Sequence, residues 1–416
     1  MADRLTPWLW IFLSGAVVAS ALALSWPLLL SPLVERAKDL TGLSTPKLLI
    51  IDLSFDPGSD FAVAPLTEKL VKALSDDHGA AFRGIGGGTA KVAPLQATAD
   101  EALPANLAEV EAELLNDTRV QNAEMTIFGW RRGDQTWLAF LPRHVEMQNG
   151  LQHYNPQGRV IGLPKDLEND DRGSLIAAFA LAQAALVRKD KSSRDDIEHL
   201  VATRARLKTV LQNLKFANDP ELWRAFGTIS MAVDELERRF DSSFSDAVYL
   251  QETWDAYERA LGVCDVTSRC AHDRVAQIYD DLGNVHVALG DLEGPKTRAG
   301  EKSRYFNAIE AYQKARSLWN HGQSVDGAAG ALAANNLGVA RLKLGRLVRD
   351  ERSAQASLQD FQSALTVWQH LEDRARHHCA WAMTQKNRAE VCPAQSSCKA
   401  EALAAAETAA KAGKCL

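Results

Sequence analysis

One charge-free run near the start of the chain sets the tightest constraint on how it can fold. From Trp8 to Leu30 the residues WLWIFLSGAVVASALALSWPLLL include no Asp, Glu, Lys or Arg. As a helix rising ~1.5 Å per residue, the run reaches roughly 35 Å, enough for a hydrocarbon core of ~30 Å. Trp8 and Trp10 stand at one end and Trp26 near the other, where indoles favour the two interfaces. The run predicts an uncleaved, single-pass anchor within residues 1–34, binding the lipid bilayer through Trp8–Leu30. A cleaved signal peptide is the competing reading, because Ala21-Leu22-Ala23 offers an A-x-A site. Signal h-regions span ~7–15 residues, and this run is longer.

The chain beyond the run is long enough for two domains. Its net charge of −6 and the lack of a basic aromatic face argue against nucleic acid as a partner. All six cysteines lie in the last third: Cys264, Cys270, Cys379, Cys392, Cys398 and Cys415. Cys264-x5-Cys270 and Cys392-x5-Cys398 each bracket a short polar turn. If the second pair closes a helical hairpin, Cys379 and Cys415 fall at similar heights on antiparallel helices. Three bridges, 264–270, 392–398 and 379–415, are expected, and they imply an oxidising compartment. The flanking charges point the other way. Arg4 alone precedes the run, whereas Arg36, Lys38 and Lys47 follow it, the pattern of a cytoplasmic body.

Lys47-Leu48-Leu49-Ile50-Ile51-Asp52-Leu53 is a continuous apolar run with β-branched residues, and reads as a buried strand. A helical pattern, Leu66, Leu70, Val71 and Leu74, follows Pro65. A second strand is expected near Ala81–Ile85 and a second helix around Leu107, Val110, Leu114 and Leu115. Met125–Trp130 and Thr136–Leu141 read as a hairpin turning at Gly133-Asp134. A short strand at Arg159–Leu163 and an apolar helix at Ser174–Val187 complete an α/β region spanning 47–190. In order and in residues such as Ile50-Ile51-Asp52-Leu53, Pro65–Leu70 and Thr126–Trp130, this region resembles the N-terminal α/β domain of the Tol translocation β-propeller protein. That resemblance implies a non-enzymatic contact domain of the bacterial envelope. No propeller repeat follows it.

From 195 to 416 the pattern is helical and repetitive. Tyr257-Glu-Arg-Ala260 aligns with Tyr312-Gln-Lys-Ala315 and with Phe361-Gln-Ser-Ala364, at spacings of 55 and 49 residues. Leu282-Gly283 aligns with Leu337-Gly338. These segments resemble the tetratricopeptide repeat, whose first helix carries Leu-Gly and whose second carries an aromatic followed by a small residue. The family period is 34, so the surplus must lie in loops. The small residue is expected to let two helices approach, and the aromatic to fill the gap to the next repeat. The resemblance implies a concave face lined by first helices. Asn284, Asn335, Asn336 and Arg341 are its candidate partner-binding residues, since an amide donates and accepts at once.

No residue pattern commits the chain to catalysis. Phe82–Lys91 is glycine-rich, but Thr89-Ala90-Lys91 is out of order for a Walker loop, and Thr89 stands where the dinucleotide fingerprint needs Gly. It reads as a loop after an edge strand. Asp52 lacks a second Asp two residues on, where Ser54 stands. His377, His378 and Cys379 could join Cys392 on a metal, but read better as a helix-start pair beside bridged cysteines. No catalytic residue, cofactor or metal is expected.

The expected fold class is α+β: an N-terminal transmembrane helix, a small α/β domain and a C-terminal all-α solenoid like that of tetratricopeptide proteins. The expected function is a scaffold or adaptor of the bacterial inner membrane, its body facing the periplasm, binding other proteins or peptides on the concave face. The alternative is a sensor whose α/β domain binds an envelope component that the repeats relay.

Overall fold

The computed structural model describes residues 48–54, 70–72, 74, 85–93, 95, 104, 107–132, 135–142, 159–167, 169–187, 194–241, 244, 246–267, 270–293, 298–321, 327–371, 374–393 and 396–413. Residues Lys47–Leu416 form one compact unit. It combines a five-stranded sheet with a long series of packed helices.

Strand β1 (Leu48–Ser54) is central and pairs in parallel with β2 (Ile85–Lys91) and β3 (Met125–Arg132). Strands β4 (Gln135–Pro142) and β5 (Val160–Pro164) extend the sheet antiparallel, giving the order β2-β1-β3-β4-β5. Alternation splits β1 between two cores. Leu48 and Ile50 join the core beneath the helical array, and Leu49 and Ile51 join the core on the opposite face. Burial on both faces is why the strand reads as an unbroken apolar run. The outer face is covered by α1 (Leu107–Leu115), with α2 (Thr118–Asn122) beside it. Leu70 and Leu74, on the expected first helix, are buried in the inner core.

The expected second strand is displaced. The glycine-rich segment is itself the edge strand β2, not the loop after one. Its smallness is used: Arg119 lies across it and donates to the Thr89 carbonyl at 2.7 Å, and a Cβ on Gly88 would collide with the guanidinium. Strand propensity argues against three consecutive glycines, and a side chain brought from 30 residues away overrides it.

Helix α3 (Asn169–Val187) packs on the sheet and leads into α4 (Arg194–Gln212). Four antiparallel hairpins follow: α5 (Pro220–Phe240) with α6 (Val248–Thr267), α7 (His272–Glu293) with α8 (Arg298–His321), α9 (Gly327–Val348) with α10 (Glu351–His370), and α11 (Arg374–Val391) with α12 (Ser397–Gly413). Within each of the first three, a glycine on the first helix meets an aromatic on the second. A Cβ at Gly227 would fall 2.5 Å from the Tyr257 ring, and one at Gly338 would fall 2.6 Å from Phe361; Gly283 against Tyr312 is tighter still. The aromatics have a second role beside the expected one, since Tyr312 also shares a core with Leu337, Val339 and Phe361 of the next hairpin. They press on the glycine of their own hairpin, because only a missing Cβ leaves room for a ring at that crossing.

The junction between α9 and α10 turns sharply. The Asp350 N–H donates to the Gly345 carbonyl at 3.0 Å, and Arg349 between them has φ of 55°. This is a Schellman closure with arginine where glycine is favoured. Asp350 then caps α10, accepting from the N–H groups of Arg352 and Ser353 at 3.1 and 3.2 Å.

The fold class needs one correction. No helix among the described residues is long and apolar enough to cross a membrane. The apolar part of α3, residues 174–187, would reach only about 21 Å. The segment expected to span, Trp8–Leu30, lies outside the described residues. The transmembrane helix and the inner-membrane localisation built on it are not retained. An α+β fold with a C-terminal helical region stands.

Candidate functional site

Two buried polar constellations lie on the first helices of the hairpins. The first fastens the helices to the sheet. Asp219 caps α5 by accepting the Leu222 N–H at 2.9 Å, and Pro220 opens the helix, where its missing N–H costs nothing. These features set Glu221 and Arg224 on one face, one turn apart. Glu221 accepts from the Gly162 N–H of β5 at 3.3 Å and from Arg274 Nε of α7 at 2.9 Å. Arg274 also donates to the Val160 carbonyl at 3.1 Å, and Arg224 reaches the same oxygen.

Strand β5 is the sheet's last strand. Its outward N–H and C=O are thus met by charged side chains in place of another strand, which removes an open edge. Gly162 suits the close approach there, since a Cβ would sit 3.2 Å from both Glu221 Cγ and the Trp137 ring and these would have to give by a few tenths of an ångström. Arg274 lies 5.4 Å over Trp137, which stacks on Trp130 with ring centroids 6.5 Å apart. All three charged residues are at most 5% exposed. Burial opposes ionisation of Glu221, but the charges of Arg274 and Arg224 outweigh it and hold its carboxyl below the ordinary range. Burial alone acts on Asp281 more strongly than its neighbours do, and pushes it up to about 6.

The second constellation links successive first helices. Asn336 Nδ2 reaches Asp280 Oδ1 at 3.4 Å and Asn284 Oδ1 at 3.5 Å. Asn335 donates to Asn336 at 3.2 Å and accepts from Asn387 of α11 at 2.9 Å. Tyr312 donates to Asn284 at 2.8 Å. Asn335 and Asn336 are fully buried and Asn284 is 3% exposed. The structure thus places the three candidate asparagines inside the array, where their amides join α7, α9 and α11. Arg341 lies nearer the surface, its side chain 23% exposed, and pairs with Asp360 of α10 at 2.7 Å.

The cysteine expectations divide. Cys264–Cys270 joins the end of α6 to the approach of α7, with Cα atoms 5.1 Å apart. Cys392–Cys398 joins α11 to α12 at 5.8 Å. Cys379 is disulfide-bonded, and its expected partner Cys415 lies outside the described residues. The bridged state of Cys392 and Cys379 leaves neither thiol to ligate a metal beside His377 and His378. Among the described residues, no group of three or more His, Cys, Asp or Glu is arranged to hold a metal ion.

Glu221, Arg224 and Arg274 were not singled out by sequence. The Asp219-Pro220 start signals where the helix begins, not that the charges after it are buried. No family model matches the chain, and no curated protein matches it.

Proposed function

We propose that the chain is a protein-interaction scaffold of the tetratricopeptide kind, without catalytic activity, and that its helical hairpins bind other proteins or peptides. The observation that carries this reading is the repeated crossing Gly227–Tyr257, Gly283–Tyr312 and Gly338–Phe361, which makes three hairpins of one design in a row. Such arrays present long surfaces from elements that contact chiefly their neighbours. In this reading the buried asparagines act behind the surface by setting the spacing of α7, α9 and α11, and Arg341 lies at its margin. The second helices offer polar exposed faces, with Gln313 and Lys314 on α8 and Gln355, Gln359 and Gln362 on α10. The two described disulfides fit an oxidising compartment.

The test is site-specific photo-crosslinking in the native cell. A crosslinker replaces Gln313, Gln359 or Arg341 in the full chain, and adducts are identified by mass spectrometry. One partner captured from neighbouring positions supports the scaffold. Absence of any adduct at all three, with the variants folded and abundant, would overturn it.

A further inference from the structure

Helix α7 is the seam between two apolar cores. Ile278, Leu282, Val285 and Leu289 belong to the core shared with the sheet, whereas Val287 belongs to the core of α8, α9 and α10. His286 stands between Val285 and Val287 and is 6% exposed. Its ring lies 5.8 Å from Trp254 of α6, and Arg304 of α8 stacks on the same indole at 5.2 Å. Arg304 is held by Glu293 at the end of α7, 3.1 Å away, and the Trp254 N–H points to Glu258 at 3.4 Å. His286 Nδ1 is buried and has no hydrogen-bond partner.

A neutral imidazole tolerates this setting, since its bare nitrogen can be Nδ1. An imidazolium does not. It would carry a second N–H with no acceptor, beside the guanidinium of Arg304. We propose that His286 is an acid-sensitive joint: proton uptake by its imidazole opens the α6–α7–α8 seam and frees the hairpins beyond it from the half that carries the sheet.

Burial, and then the charge of Arg304, push the His286 imidazole down from 6.5 to about 4. The lowered value fixes the sign. The neutral ring's contribution is fully present above pH 6.5 and is lost as pH falls toward 4, because the open state binds the proton more tightly. From pH 7 to pH 5 this group alone raises the open population roughly 20-fold. Asp219 and Asp281, each pushed up to about 6 chiefly by burial, act oppositely: they add stability as pH falls from about 6 to 4. Asp281 lies on α7 itself and adds its own pH dependence to any opening of that helix, so the readout must compare the unaltered chain with variants that lack only the imidazole.

The experiment is hydrogen exchange with mass spectrometry on the intact chain at pH 7 and pH 5, each rate divided by its intrinsic value. The pH 5-to-pH 7 ratio of opening at amides of α7 and α8 should be roughly 20-fold larger in the unaltered chain than in His286→Gln or His286→Phe. Neither variant carries a proton on that side chain at either pH, so each keeps only the opposite dependence that Asp281 contributes, whatever the baseline. An equal ratio in a folded variant and in the unaltered chain overturns the joint. Titration of the His286 ring by NMR in the unaltered chain is the second arm: a midpoint near 6.5 would likewise overturn it.

Discussion

Replacing Gly338 by alanine tests whether the hairpins depend on their glycine crossings. A Cβ built at Gly338 lies 2.6, 2.8 and 3.0 Å from Cε1, Cδ1 and Cζ of Phe361. Ordinary carbon contacts are ~3.5–4.0 Å, so the ring must withdraw by about 1 Å. Phe361 is fully buried in the core of α8, α9 and α10 and has no free direction to take. Alanine is favoured over glycine within a helix by about 1 kcal/mol, while overpacking a tight core costs ~1–3 kcal/mol. A rigid ring belongs at the upper end of that range, so Gly338→Ala should destabilise by about 1–2 kcal/mol. Gly262, in α6, is the internal control, because a Cβ there meets nothing within 4 Å. Gly262→Ala should stabilise by about 1 kcal/mol from helix propensity alone. The assay is urea unfolding followed by far-ultraviolet ellipticity. Adding Phe361→Leu to Gly338→Ala should leave the pair about 1 kcal/mol less destabilised than the sum of the single changes, since the smaller side chain removes the clash. If Gly338→Ala is as stable as the unaltered chain, or gains as much as Gly262→Ala, close approach does not constrain these hairpins.

Three further outcomes follow from other contacts. Arg349→Gly should raise stability by about 1 kcal/mol in the same urea assay, because φ of 55° is strained for arginine and free for glycine. Glu221→Gln should cost ~3–5 kcal/mol by leaving Arg224 and Arg274 buried without a counter-charge; proteolysis between the sheet and α5 would report the loss. Because the Glu221 carboxyl is held below its ordinary 4.5, its contribution is present above that pH and disappears as pH falls through the lowered value. Asn336→Ala should cost ~1–3 kcal/mol, since its amide serves Asp280, Asn284 and Asn335 at once, whereas Arg341→Ala, at a partly exposed ion pair, should cost under ~1 kcal/mol.

Local pattern determined much of the architecture. The apolar run of β1, the hairpin of β3 and β4, and helix α3 follow from periodicities of a few residues, while the aromatic and glycine positions of α7 to α10 follow from segments that repeat 49 to 55 residues apart. Those periodicities act within one element and need no knowledge of its neighbours. The pairing of Cys264 with Cys270 and of Cys392 with Cys398 was legible for the same reason, because each pair closes a connection of a few residues. What tertiary structure alone decided was the meaning of the polar residues. Glu221 meets Arg274 across 53 residues, and Asn336 meets Asp280 across 56. Nothing in the sequence near either residue distinguishes a surface amide or carboxylate from a buried one. The edge strand β2 is hidden for a related reason: its glycines look like a flexible loop until Arg119 is laid over them. Burial and partner choice are properties of the assembled fold, in which the cost of desolvating a polar group is offset only by groups brought from distant parts of the chain.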